Sequence, residues 1–177
     1  SDTALYVSDL LGLATIIVQA AIIVFVVMAA FGRRKPFVRH TLALIKSRAL
    51  ALSFLVALLG VALSLLYSKG FGLPPCELCW YQRVFLYSAA VILALALVRR
   101  DRSVVPYIFV LSLFGFVTAA YQVLIQYWGT LNTVCSLDTL DCSFIYVQVA
   151  GYVTIPVMAT TSFALMLIIT GTALLYE

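Results

Sequence analysis

Five stretches of this chain run for about twenty residues almost without charge: Leu10–Phe31, Ala49–Tyr67, Trp80–Val98, Val104–Trp128 and Val149–Leu175. Runs of that length and apolarity match the hydrocarbon core of a bilayer, where every backbone polar group must be bonded within its own helix. Charged residues make up only 10% of the 177, too few to clothe a soluble surface. The pattern predicts an all-α membrane protein with five transmembrane helices.

The loops sort by charge. Arg33, Arg34, Lys35, Arg39, Lys46 and Arg48 lie between the first and second runs, and Arg99, Arg100 and Arg102 between the third and fourth. The opposite side carries Asp2, Asp9, Glu77, Asp138 and Asp141, with Lys69 and Arg83 as its cations. The positive-inside rule then places the N-terminus outside and the C-terminus in the cytoplasm, in a multi-pass protein of the plasma (inner) membrane. The surplus of Lys and Arg, 11 against 7 Asp and Glu, suits lipid headgroups and gives no reason to expect nucleic acid. A secretory signal would carry positive charge before its apolar run. Here the charge comes after, so the first run reads as a retained helix. Its polar residues Thr15 and Gln19 suggest packing or anchoring, not a site. His40 stands alone in the basic connection without partners for a metal or haem.

This topology puts four cysteines, Cys76, Cys79, Cys135 and Cys142, on the outer side, where disulfides persist. Pro74 and Pro75 stop one element and are tolerated where the next helix begins. Cys76, Cys79 and Arg83 follow at i, i+3 and i+7, which share a helical face. A helix N-terminus with a nearby cation favours the reactive thiolate. An arginine at membrane depth costs about 2.5–3.5 kcal/mol on insertion scales, so it requires a partner or must snorkel to the interface. The wider spacing of Cys135 and Cys142 in the outer loop suits a four-thiolate zinc site poorly. A disulfide there would restrain the unfolded chain by only about 2–3 kcal/mol, so thiol exchange explains the pair better than stapling does. Residues Phe144, Ile145, Tyr146 and Val147 are expected along the interface as an amphipathic stretch. Pro156, two turns into the fifth run, is expected to free the Tyr152 carbonyl and bend the helix.

The run Cys76-Glu77-Leu78-Cys79-Trp80-Tyr81-Gln82-Arg83 resembles the C-x-L-C-x-Y-x-R signature of the DsbB-type disulfide-bond-forming oxidoreductases. Gly151-Tyr152-Val153-Thr154-Ile155-Pro156 is similar to the segment opening that family's last helix, and the short second-pair loop resembles its compact form. The resemblance covers about Arg48 to Leu175 and leaves out the first helix, so it implies a four-helix bundle core of helices 2–5 over residues 48–177, with residues 1–47 as an N-terminal transmembrane helix and basic cytoplasmic connection beside it. It implies a membrane thiol:quinone oxidoreductase that makes disulfides de novo. A quinone (ubiquinone or menaquinone) would be bound by Cys79, Arg83, Gln82 and Gln122. The partner it implies is a thioredoxin-fold, DsbA-like thiol oxidase, in contact with the membrane quinone pool. By that pattern Cys135 forms the mixed disulfide, Cys142 passes electrons to Cys76, Cys79 delivers them to quinone, and Arg83 stabilises charge. Many relatives carry a histidine in the fourth helix; here Gln122 follows Tyr121. Gln122 donates a hydrogen bond but cannot shuttle protons as imidazole does.

Two other readings compete. A vitamin K epoxide reductase-like quinone reductase would carry its loop pair before the C-x-x-C, the reverse of the order here. A non-enzymatic metal-binding or scaffold protein would hold four thiolates and bound zinc, which a thiol count and metal analysis distinguish.

Overall fold

A computed structural model describes residues 2–32, 36–128 and 142–175. The described chain is helical: α1 (Asp2–Phe31), α2 (Pro36–Leu65), α3 (Glu77–Arg99), α4 (Val105–Trp128) and α5 (Ile155–Leu175), with a π-helical turn at Leu66–Gly70 closing α2. All five are long and apolar enough to cross a membrane. Helix α2 packs on α3, α3 on α4, α4 on α5, and α5 back on α2, so these four close into a bundle. Helix α1 lies outside that ring, mainly against α5. Its outer face, including Leu13, Ile17, Val24 and Phe31, is exposed and suited to lipid.

Hydrophobic burial drives helix association only weakly in lipid, so close contact falls to small residues. A side chain at Gly115 of α4 would overlap the Phe163 ring of α5, and one at Gly60 of α2 would come within 3.0 Å of Leu86 of α3. Around these contacts Ala57, Leu86, Ala89, Leu93, Ile108, Ala119, Phe163 and Met166 form the mid-bundle core.

Three sequence expectations need correction. Helix α2 starts at Pro36, not Ala49, so Arg39, His40, Lys46 and Arg48 extend the helix itself. Proline is favoured at a helix start, and long cationic side chains keep that extension solvated. Helix α5 starts at Ile155, not Val149. Residues 149–153 form a tight turn instead, with a bridge between Val149 and Val153 and positive φ at Ala150 (52°) and Gly151 (80°). Pro156 is therefore the second residue of α5, where no intrahelical N–H is needed, and the expected bend has no cause. Finally, residues 144–147 are not helical; Phe144, Tyr146 and Val147 turn inward to line a cavity.

Candidate functional site

The cavity, about 140 Å³, lies at the end of the bundle that carries the cysteines. The end of α2, the start of α3, the end of α4 and the first turns of α5 bound it, and Cys142, Phe144, Tyr146 and Val147 roof it. Cys76, Cys79, Gln82, Arg83 and Gln122 all reach its wall. The helical-face spacing read from the sequence accounts for Cys76, Cys79 and Arg83. Cys135 lies outside the described residues.

Cys76 is the N-cap of α3, with extended backbone (φ −74°, ψ 174°). A cap side chain ordinarily bonds a free N–H of the first turn. Here no such bond forms, and Sγ lies 2.9 Å from Sγ of Cys79 instead. Both thiols are free, while Cys142 is disulfide-bonded. Cys76 and Cys142 share a buried cluster with Leu78 and Ile125, against which Cys79 and Tyr121 pack. The Cys76 thiol is pushed up from its ordinary range by its hydrogen bond with Cys79 and then by burial.

Gln122 sits above both sulfurs. Its Nε2 donates to Cys76 Sγ at 3.1 Å and to Cys79 Sγ at 3.5 Å. Its Oε1 accepts from Gln82 Nε2 at 2.7 Å. Both amides are buried, and an unpaired buried amide costs about 1–3 kcal/mol, so the two glutamines fix each other. In this arrangement Gln122 serves the thiols. The sequence expectation had it serve a ligand oxygen.

Arg83 of α3 is anchored on α2. Among the described residues it makes no hydrogen bond to Cys79. Its Nε donates to Ser64 Oγ at 2.9 Å and its Nη2 to the Ser64 carbonyl at 3.0 Å, and the guanidinium lies 5.1 Å from the Trp80 ring centre. That offsets the cost of a cation at this depth and leaves further N–H donors facing the cavity. Ser64 lies just before the π-helical turn, a distortion common at functional sites.

Ser64 went unnoticed in the sequence. Its signal was there: Gly60, Ser64 and Ser68 recur every four residues on one face of an otherwise apolar helix, and all three line the cavity. Gln126 was also missed. It accepts from Thr154 Oγ1 at 2.8 Å and donates to the Phe144 carbonyl at 3.3 Å, holding both ends of the segment after Cys142 against α4.

Residues 46–173 match the family model described as disulfide bond formation protein DsbB. The chain is 38% identical to the SPbeta prophage-derived disulfide bond formation protein B of Bacillus subtilis (strain 168), over 64% of this chain and 77% of that protein. It is 30% identical to the probable disulfide formation protein C 2 of Bacillus anthracis, over 72% of this chain and 91% of that protein. With a probable disulfide formation protein of Coxiella burnetii (strain RSA 493 / Nine Mile phase I) the identity is 36%, over 64% and 78%. No solved structure matches the chain. The family match takes in nearly all of the bundle and every cysteine while omitting α1, and on that ground the chain belongs to the DsbB family of disulfide bond formation proteins.

Proposed function

We propose that this membrane protein is a thiol:quinone oxidoreductase that reoxidises a thioredoxin-fold, DsbA-like partner. One observation carries the reading: Cys76, Cys79, Cys142 and Arg83 line one cavity. Its volume, about 140 Å³, is close to the roughly 150 Å³ of an engineered cavity that binds benzene, so one six-membered ring fits. Arg83 and Gln82 supply polar contact at its wall, while Leu63, Leu86, Met158 and Phe163 supply apolar surface. Arg83 and Gln82 would hold a quinone there beside Cys79, with Gln122 kept on the thiols, and the quinone would supply a two-electron, two-proton acceptor.

The thiol chemistry balances within the chain and its partner. A partner thiolate attacks Cys135 of the Cys135–Cys142 disulfide and releases Cys142 as thiolate. The second partner thiol resolves the mixed disulfide, leaving the partner oxidised and Cys135 and Cys142 reduced. Cys142 then attacks Cys76 of a Cys76–Cys79 disulfide and releases Cys79. Attack by Cys135 on Cys142 restores the outer disulfide and frees Cys76. Two electrons now reside on Cys76 and Cys79. Gln122 steadies both sulfurs, and Arg83 sets a positive field beside them.

The same proposal puts the cysteine end outside and the basic end, with Arg39, Lys46, Arg99 and Arg102, in the cytoplasm of the plasma membrane. It treats residues 1–47 as an accessory part and residues 48–177 as the catalytic core, α2 running unbroken across the join. The test mixes purified protein, a reduced thioredoxin-fold donor and ubiquinone or menaquinone, and follows quinone absorbance. One quinone consumed per donor disulfide formed is the expected result. Absorbance that stays at the level of the protein-free control would end the proposal.

A further inference from the structure

Helix α1 lies outside the matched family region, yet it touches the site's surroundings at three levels. Near its start, Tyr67, which lines the cavity, donates its hydroxyl to Ser8 Oγ at 3.3 Å. One turn on, a side chain at Gly12 would come within 2.5 Å of Val149. Two turns further, Gln19 accepts from the Tyr152 hydroxyl at 2.8 Å and donates to Thr161 Oγ1 of α5 at 2.9 Å. Ser8, Gly12 and Gln19 are spaced by four and seven residues, so they form one stripe on α1. A bare lipid anchor needs no polar stripe.

Val149 and Tyr152 belong to the segment joining Cys142 to α5. That segment is held from the α4 side by Gln126, and by Tyr127, whose hydroxyl bonds the Tyr152 carbonyl at 3.0 Å. Helix α1 meets the same segment at Val149 and Tyr152, so Tyr152 is held by both helices. We propose that α1 is a clamp that positions the Cys142 segment over Cys76, with Gln19 as its principal positioning residue. Losing the clamp widens the range of positions open to Cys142 and lowers the rate at which the two sulfurs meet. The proposal rests on the relay reading above, in which Cys142 and Cys76 exchange.

The experiment uses the full chain carrying Cys79→Ser and Cys135→Ser, which leaves Cys76 and Cys142 as its cysteines. Diamide, an azo oxidant, takes two hydrogens from the two thiols and becomes a hydrazine as one S–S bond forms. Neither partner nor quinone is needed. The rate of Cys76–Cys142 bond formation is expected to fall about fivefold in Gln19→Ala, the worth of one net hydrogen bond. Tyr152→Phe, which breaks only the Gln19–Tyr152 bond, should slow the reaction by no more than Gln19→Ala does, and the double variant should be no slower than Gln19→Ala, because that variant already lacks the shared contact. Gly12→Leu should slow the reaction at least as much by pushing α1 away from Val149. Thermal unfolding run in parallel identifies any variant that fails to fold, and the Gln19/Tyr152 cycle decides the matter without Gly12→Leu. Unchanged rates in Gln19→Ala and Tyr152→Phe would overturn the clamp while leaving the relay intact. No Cys76–Cys142 bond in the parent would overturn the relay, and the clamp with it.

Discussion

Cavities open at both ends of the bundle, and the chemistry gathers at only one of them. At the basic end about 230 Å³ is lined by Lys46, Ala49, Leu50, Arg102, Val105, Ala173 and Leu174. At the cysteine end about 140 Å³ is lined by three cysteines, two buried glutamines and an arginine. The basic-end cavity collects cations, and among the described residues Arg102 there bonds the Ser47 carbonyl, at 3.1 Å. At the cysteine end each polar group has a specific partner: Gln82 on Gln122, Gln122 on both sulfurs, Arg83 on Ser64. Converging, mutually satisfied polar groups report a site.

If that contrast is right, substitutions at the two ends should differ sharply. The largest effect belongs to Cys79→Ser, which should abolish quinone reduction in the coupled assay. Cys135→Ser should block partner oxidation yet leave quinone binding as it was. Arg83→Ala comes next, raising the quinone KM about tenfold, the worth of one charge-assisted hydrogen bond. Quenching of Trp80 fluorescence by added quinone should weaken in parallel, because Trp80 stacks beside Arg83. An Arg83→Ala protein with unchanged KM and quenching would remove Arg83 from the site. Gln122→Leu strands the buried Gln82 amide and should destabilise the fold by about 1–3 kcal/mol, read as a lower Tm. Adding Gln82→Leu should restore part of that loss. Arg102→Ala at the basic end should leave kcat and KM within about twofold, as exposed charges away from a site usually do. A tenfold fall in that variant would break the comparison between the two ends.

Much of the fold was legible because the bilayer leaves few choices. Apolar runs of membrane length admit only helices, so the number of helices follows from hydropathy, whereas the closure of α2–α5 was legible only through the family resemblance. Helix ends were less legible. Residues 149–154 are apolar enough to continue α5, but Ala150 and Gly151 adopt positive φ and end any helix there. Basic residues after Pro36 looked like a connection because charge, not helix propensity, was used to draw the boundary.

The site divides in the same way. The i, i+3, i+7 spacing places Cys76, Cys79 and Arg83 on one wall without any tertiary knowledge. What Arg83 and Gln122 bond to could not be read so, because Ser64 and Gln82 come from other parts of the chain and only packing brings them together. The role of α1 was hidden for a further reason. Ser8, Gly12 and Gln19 are ordinary residues in a long apolar helix, and their meaning lies in Tyr67, Val149 and Tyr152, which face them.

The central claim, that the cysteine-end cavity holds the electron acceptor, is open to a direct test by photoaffinity labelling. A photoactivatable quinone would be irradiated with the full-length protein in lipid vesicles, and the labelled peptides identified by mass spectrometry. The account predicts label on the peptides around Cys79–Leu86 and Ile155–Phe163, removed by excess unlabelled quinone and reduced in Arg83→Ala. Label concentrated around Lys46, Arg102 and Leu174, or label that excess quinone does not displace, would contradict it.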